Sequence, residues 1–212
     1  APWPELMTRA QAWDAAETEL AAATVVAGCG GGRAIEPVLP ALLRHAGRLV
    51  LDADALNRLA EHAEWRALLK ARPTPAVLTP HPLEAARLLA CSVAEVQGDR
   101  LAAASKLARD LACVVVLKGS GTVVASPGQA PAINPTGNAR LATAGTGDVL
   151  AGWVGGLWAQ VGDATAATCQ AVYLHGLRAD EWGNAPVHTA ALTAGALAAG
   201  AACSITARCG AT

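Results

Sequence analysis

The sequence predicts an α/β fold with a mainly parallel sheet flanked by helices, and three observations carry that prediction. Short apolar runs alternate with segments of helical periodicity. Polar and glycine-rich residues gather just after the apolar runs. The apolar content is largely Ala, Val and Leu, with no Phe and one Tyr. Small aliphatic side chains suit helices packed closely on a sheet that is buried on both faces. With 212 residues, 53% of them hydrophobic and 16% charged, the chain has room for one sizeable core and is not a disordered segment. No linker or internal repeat divides it, so residues 1–212 are expected to form a single domain.

The elements follow in order. Ala23–Ala27 is a short apolar run that ends in Gly28-Cys29-Gly30-Gly31-Gly32, a buried strand leading into a tight turn. A helix is expected over Glu36–Ala46. A strand over Arg48–Asp54 then carries two acids at its carboxyl end, and Ala55–Leu69 has helical periodicity. Ala76–Thr79 is the next strand, a helix starts at Glu84, another covers Asp99–Leu111, and Cys113–Leu117 is again extended. Thr122–Ala125 pairs back on it as a hairpin after Lys118-Gly119-Ser120-Gly121. The remainder is helical, and the uncharged run Thr189–Ala207, short of Leu and Ile, reads as a helix buried against the sheet rather than a membrane span.

Composition narrows the function. A net charge of −1 leaves no electrostatic footprint for nucleic acid or an anionic membrane, so an anionic ligand must be held locally. Cys29, Cys91, Cys113, Cys169, Cys203 and Cys209 show neither disulfide-framework nor metal-ligand spacing, which predicts buried free thiols in a reducing cytoplasm. Ala1-Pro2-Trp3-Pro4-Glu5 is not a secretory signal.

The most informative stretch is Asn138–Gly152, where a glycine turn carrying one acid opens into an apolar helix. Backbone N–H groups at such a helix start are unpaired, and with the helix dipole they attract phosphate or a developing oxyanion. A carboxylate at Asp148 would repel bound phosphate. Its presence makes chemical sense if it is the base that takes a hydroxyl proton during phosphoryl transfer. An ordinary helix cap built from Thr146 and Asp148 accounts for the same residues more plainly.

Four further segments also lie where strands end: Gly28–Gly32, Asp52–Asn57, Thr79–Glu84 and Lys118–Thr122. Together, Val50–Asn57, Leu78–Leu88, Leu117–Val124 and Gly137–Gly152 resemble, in order, the ADP-dependent NAD(P)H-hydrate dehydratase family, and Val172–Gly176 looks like that family's later helix. The resemblance spans nearly the whole chain. It implies a ribokinase-like fold and the repair of NAD(P)H hydrate to NAD(P)H, with ADP as phosphoryl donor (or ATP), AMP and phosphate as products, and Mg2+.

The resemblance also distributes roles. Asp148 would be the base, with Gly145, Thr146 and Gly147 forming the anion hole from the N–H groups of residues 144–147. Lys118, Gly119, Ser120, Gly121, Thr122, Asn138 and Gly147 would hold the adenine nucleotide, Lys118 bearing chiefly on its affinity. Gly30, Asp54, His81 and Asp148 would face the hydrated dinucleotide, and Glu84 would hold water or Mg2+ near the phosphates. Plainer readings stand beside several of these. His81 suits a turn or cap, Glu84 a first-turn acid favoured by the helix dipole, and Asn134 and Asn138 Asx turns bracing the loop. If the strand continued through Asp54, Asp52 and Asp54 would point to opposite faces. Asp54 is then expected in the cleft, with Asp52 serving a backbone N–H or Arg58. Trp153, Trp158 and Trp182 are expected to be packing residues.

The match departs from the family pattern in lacking a counterpart to the first strand, glycine turn and helix, in Gly31 for leucine, and in Leu83 for glycine. The chain is accordingly expected to be N-terminally incomplete. The resemblance admits a homotetramer and an epimerase, fused or separate, as partners. Two other functions remain open: a small-molecule kinase of the same fold, and a catalytically silent nucleotide-binding module.

Overall fold

The computed structural model describes residues 16–184 and 191–199, and every structural statement concerns these residues. Strands β1 (Thr24–Ala27), β2 (Arg48–Leu51), β3 (Val77–Leu78) and β4 (Val114–Leu117) pair in parallel in that order. Strands β5 (Val123–Ala125) and β6 (Ala132–Ile133) extend the sheet beside β4 as an antiparallel meander. The helices are α1 (Glu17–Ala22), α2 (Leu39–His45), α3 (Ala53–Glu61), α4 (Ala63–Lys70), α5 (Pro82–Leu89), α6 (Val93–Gly98), α7 (Arg100–Leu111), α8 (Thr146–Val161), α9 (Ala164–Asn184) and α10 (Ala194–Ala199). This is the α/β architecture the alternating pattern predicts.

The two faces of the sheet follow from the two-residue period of a strand. Leu49, Leu51, Leu78, Val115 and Leu117 point to one side, where they join Leu43, Leu56, Leu69 and Leu107. Val50, Val77, Val114 and Val116 point to the other and meet Leu150, Val154, Trp158 and Val172 on α8 and α9. Gly155 lets α8 settle on this face, because a Cβ there would lie 2.6 Å from a methyl of Val26. The seat of α8 matters because its first turn carries Asp148.

Several boundaries differ from the sequence reading. β2 stops at Leu51, and Asp52 already stands at the N-cap position of α3, with Ala53 at φ +48°. The strand therefore never reaches Asp54, and the opposite-faces argument for the two acids does not apply. Ala55–Leu69 is divided between α3 and α4 at His62, whose backbone is extended. The first helix of the Glu36 segment begins at Leu39, after a 3-10 turn over Gly32–Ile35. Helix α5 starts at Pro82, two residues before Glu84, because Pro is at home in a helical first turn where its missing N–H is not needed.

Of the run Thr189–Ala207, residues 191–199 are described. They place α10 on α8 and α9, with Leu192 and Leu197 buried beside Ala179, rather than on the sheet. Trp158 is a core residue as expected, and Trp153 and Trp182 are partly buried. Cys113 is buried, whereas Cys29 is exposed, contrary to a uniformly buried set of thiols; Cys203 and Cys209 lie outside the described residues.

Trp158 fills the interface of α8 with the sheet at 1% exposure. Trp158→Ala is expected to cost about 3–5 kcal/mol of stability, read as a lower urea midpoint with an unchanged slope.

Candidate active site

Parallel strands deliver their carboxyl ends to one edge, and the polar segments between strands and helices meet there. Backbone bonds hold that edge: Asp52 N–H donates to Ala27 O, Thr79 N–H to Leu51 O, and Lys118 N–H to Pro80 O. Behind Asp52 lies Gly28, at φ +114°, where a Cβ would sit 1.9 Å from the Asp52 carbonyl. Only glycine fits this crossing of the first turn under the second.

Beside the edge opens a cavity of about 430 Å³. Lys118, Gly119, Ser120, Gly121, Thr122, Asn138, Thr146 and Gly147 all line it, so the structure brings together the residues assigned to the nucleotide. The loop closes on itself through the Thr122 hydroxyl, which donates to Gly119 O at 3.0 Å. Asn138 contributes as a brace: its amide donates to Ala179 O and to Asp180, and its Oδ1 accepts from Arg140 N–H. The Asx-turn reading describes this side chain.

Helix α8 begins after Gly145, which takes the left-handed conformation at φ +83°. The Thr146 hydroxyl is turned back to Leu141 O and Thr143 O at 2.7 and 2.8 Å, and its N–H reaches Thr143 O at 3.3 Å. The first-turn amides without a hydrogen bond among the described residues are those of Gly147 and Asp148. Just before the helix, the N–H groups of Ala144 and Gly145 also have no hydrogen-bond partner among the described residues, so of residues 144–147 only Thr146 has its amide engaged, and Asp148 adds one more free amide.

Asp148 is exposed, at the third position of the helix. Its carboxylate, that of Asp52 and the Cys29 sulfur bring their ligand atoms within 4.8 Å of one another. Asp52 is almost fully buried and holds Lys118 Nζ at 2.7 Å, with Cys29 Sγ 3.8 Å from its other oxygen. Partial burial and then the charges of Asp52 and Asp148 push the Cys29 thiol up to about 12, so it is a protonated donor at neutral pH. Mg2+ favours several oxygen ligands, and here one ligand is a thiol while Lys118 already supplies positive charge. These three side chains alone are not a cage for that ion.

The remaining assigned residues lie on the same edge but outside the cavity. Gly30, at φ +63°, has open space where a side chain would stand. Asp54 accepts from Gly32 N–H at 2.7 Å and so ties down the first glycine turn, while the buried acid Asp52 pairs with Lys118 and not with Arg58, which pairs with Glu36 and Glu61. His81 is the N-cap of α5: its Nδ1 accepts from the N–H groups of Leu83 and Glu84. Glu84 completes a capping box by accepting from His81 N–H at 2.7 Å, and its second oxygen lies 3.3 Å from His81 Nε2. The cap readings of both residues match this geometry. Burial raises the Glu84 pKa, with Lys118, 3.9 Å away, opposing that shift.

Three supporting residues had no role assigned from the sequence, although His175 lies in the Val172–Gly176 segment. Arg100 donates to Leu117 O at 3.0 Å and Gly121 O at 3.4 Å, clamping the two ends of the Lys118 loop. Asp180 accepts from both Gly137 N–H and Asn138. His175 is buried, lies 2.9 Å from Thr146 O through Nε2, and has Trp153 edge-on with ring centroids 6.0 Å apart. Their partners are backbone groups brought near by the fold, a relation no local spacing announces.

Burial lowers the pKa of both His175 and His81, further opposed to protonation by Lys118. Unfolded, each titrates near the ordinary 6.5, so unfolding takes up protons below that pH. Stability present above about pH 6.5 is therefore lost as pH falls, and His175→Gln is expected to flatten that loss in urea titrations at about pH 7.5 and 5.5. Arg100→Lys, which replaces a planar fork with a point charge, is expected to weaken calorimetric ADP or ATP binding roughly tenfold.

With this geometry, the comparisons with known proteins agree on a family. The sequence profile of NAD(P)H-hydrate dehydratase matches residues 1–206. The chain is 44% identical over 200 residues to the ADP-dependent (S)-NAD(P)H-hydrate dehydratase of Neisseria meningitidis serogroup B, covering 93% of this chain and 67% of that protein. It is 41% identical over 180 residues to the bifunctional NAD(P)H-hydrate repair enzyme of Escherichia coli K12, covering 84% of this chain and 34% of that protein. The chain thus spans about two thirds of one relative and about a third of the other. Among solved structures, the ADP/ATP-dependent NAD(P)H-hydrate dehydratase of Bacillus subtilis, co-crystallized with ATP/Mg2+ and soaked with CoA, aligns with a TM-score of 0.70 at 32% identity, covering 86% of this chain and 68% of that one. A ribokinase-like superfamily protein of Enterococcus faecalis V583 aligns with a TM-score of 0.65 at 25% identity, covering 82% and 57%. Ribokinase-like in fold, with a glycine-framed acid at the start of α8 facing a lysine loop, the chain belongs to the NAD(P)H-hydrate dehydratase family.

Proposed function

We propose that this chain dehydrates NAD(P)H hydrate at the expense of an adenine nucleotide, ADP or ATP, and that Asp148 is the base. The observation that carries the reading is the placement of an exposed carboxylate beside the unpaired amides of Gly147 and Asp148, next to the nucleotide-sized cavity that Gly147 lines and within 4.8 Å of the Cys29 sulfur in the first glycine turn. A base is useful only next to the hydroxyl it deprotonates, and amides at a helix start are useful only next to developing negative charge.

Hydroxide is a poor leaving group, so the hydroxyl of the hydrated nicotinamide ring must first be converted. Asp148 takes the hydroxyl proton as the oxygen attacks the terminal phosphorus of the nucleotide. A new O–P bond forms, and the bond to the bridging oxygen breaks. With ADP as donor, AMP departs. The lone pair of the ring nitrogen then expels phosphate from the adjacent carbon, and loss of a proton from the neighbouring carbon restores the reduced ring. The N–H groups of Gly147 and Asp148 meet the charge on the transferring phosphoryl group, worth about 3 kcal/mol per donor in comparable oxyanion sites.

Mg2+ would enter on the phosphates of the nucleotide and supply charge neutralisation there; Glu84, committed to the cap of α5, is not needed as a direct ligand. No helix among the described residues is long and apolar enough to cross a membrane, and the free thiols of Cys29, Cys91, Cys113 and Cys169 suit a reducing cytoplasm. Relatives that are bifunctional NAD(P)H-hydrate repair enzymes fit the epimerase partner, fused or separate, that the family resemblance implies.

The test is the return of reduced-nicotinamide absorbance when chemically hydrated NADH or NADPH is mixed with protein, Mg2+ and ADP or ATP. Asp148→Asn is expected to lower turnover at least about a hundredfold while calorimetric nucleotide affinity stays within about threefold. A stable phosphorylated product in place of free phosphate would instead identify a kinase of the same fold.

A further inference from the structure

Lys118 was assigned to the nucleotide by the loop it opens, yet its ammonium group is not left to follow a nucleotide. Its nearest partner is Asp52 at 2.7 Å, and that carboxylate is itself 1% exposed. The second oxygen of Asp52 faces the Cys29 sulfur at 3.8 Å, and Asp52 N–H is bonded to Ala27 O, so the acid is fixed from its backbone and from both oxygens. Lys118 Nζ consequently rests on Gly147, 3.4 Å from where a Cβ would be. This is the residue that carries one of the free amides and precedes Asp148. The positive charge is therefore held at the passage between the nucleotide cavity and the base, where the terminal phosphoryl group must cross.

We infer that Asp52 is a positioning residue for phosphoryl transfer, acting through Lys118 by holding its ammonium group at Gly147 so that it meets the phosphoryl group during transfer rather than the nucleotide at rest. The inference rests on the dehydratase reading and deepens it. It also revises the role of Lys118, which becomes a contributor to turnover more than to nucleotide affinity. Charge held where it is needed only in transit raises kcat, whereas charge that binds ground state and transition state alike changes KM alone.

The experiment compares the parent protein with Asp52→Asn, Asp52→Glu, Lys118→Met and the Asp52→Asn/Lys118→Met double variant. Recovery of reduced-nicotinamide absorbance gives kcat, calorimetry with ADP and with ATP gives affinity, and thermal melting reports folding. Asp52→Asn is expected to lower kcat roughly 10- to 100-fold with nucleotide affinity within about threefold, and the double variant is expected to be no slower than Lys118→Met alone. Asp52→Glu keeps the charge but moves it by one methylene, so it is expected to fold, bind nucleotide and lose kcat even if Asp52→Asn does not fold. An unchanged kcat in either folded Asp52 variant, equal losses of kcat and affinity, or additive effects in the double variant would overturn the inference. A parent protein that binds nucleotide but restores no absorbance sinks the dehydratase reading and this inference with it, whereas an active parent with unaffected Asp52 variants sinks the inference alone.

Discussion

The Lys118–Asp52 ion pair is the constraint around which the functional edge is arranged. Lys118 follows β4 and Asp52 follows β2, so the pair spans the end of β3 and joins two strands that do not touch in the sheet. Removing one partner of a buried pair strands the other charge and commonly costs 3–5 kcal/mol, roughly. That asymmetry makes the pair a device for fixing position more than a source of net stability. Glu84, a second buried acid 3.9 Å from the same ammonium, keeps the local charge balanced from the β3 side.

Around this pair, each polar loop is held by a group from a different part of the fold. The first turn is fixed by Asp54 on Gly32 N–H, the Lys118 loop by Arg100, and the segment leading to α8 by Asp180 and Asn138. His175 steadies the first turn of α8 from α9 by its contact with Thr146 O. The amides of Gly147 and Asp148 are left free at the start of α8 while the Thr146 hydroxyl and carbonyl beside them are engaged. An anion hole needs such rigidity, since amides that could turn toward each other or toward side chains would lose the advantage of being set in place.

Legibility from sequence divides along the range of the interactions. The strands and their order of appearance were readable because burial on both faces leaves runs such as Leu49-Val50-Leu51 and Val114-Val115-Val116-Leu117, whose alternate residues serve the two sides. The Lys118–Thr122 loop and the Gly145–Asp148 turn were readable because glycine and charge at a strand end announce themselves locally. The choice between Asp52 and Asp54 was not. It depended on where β2 ends, and Ala53 in the left-handed region, which no alanine advertises, breaks the two-residue period between the acids. Arg100, Asp180 and His175 escaped for a related reason: each acts on a backbone group that is distant in sequence, and an arginine or histidine in a helix looks the same whether or not a loop carbonyl lies opposite.

His81 and Glu84 show how two residues of this edge also serve the helix behind it. Between two prolines, His81 has its backbone fixed, and its Nδ1 is fully engaged as an acceptor for the first turn of α5, which keeps the imidazole neutral. Burial and the neighbouring Lys118 push in the same direction. A protonated imidazole would lose both cap bonds, so the cation we infer to serve the phosphoryl passage also favours the neutral form that the cap needs. The polar residues at this edge therefore differ in protonation state: an exposed acid at Asp148, the proposed base, a thiol at Cys29 and an imidazole at His81 kept neutral as hydrogen-bonding groups, and an ammonium group held by Asp52.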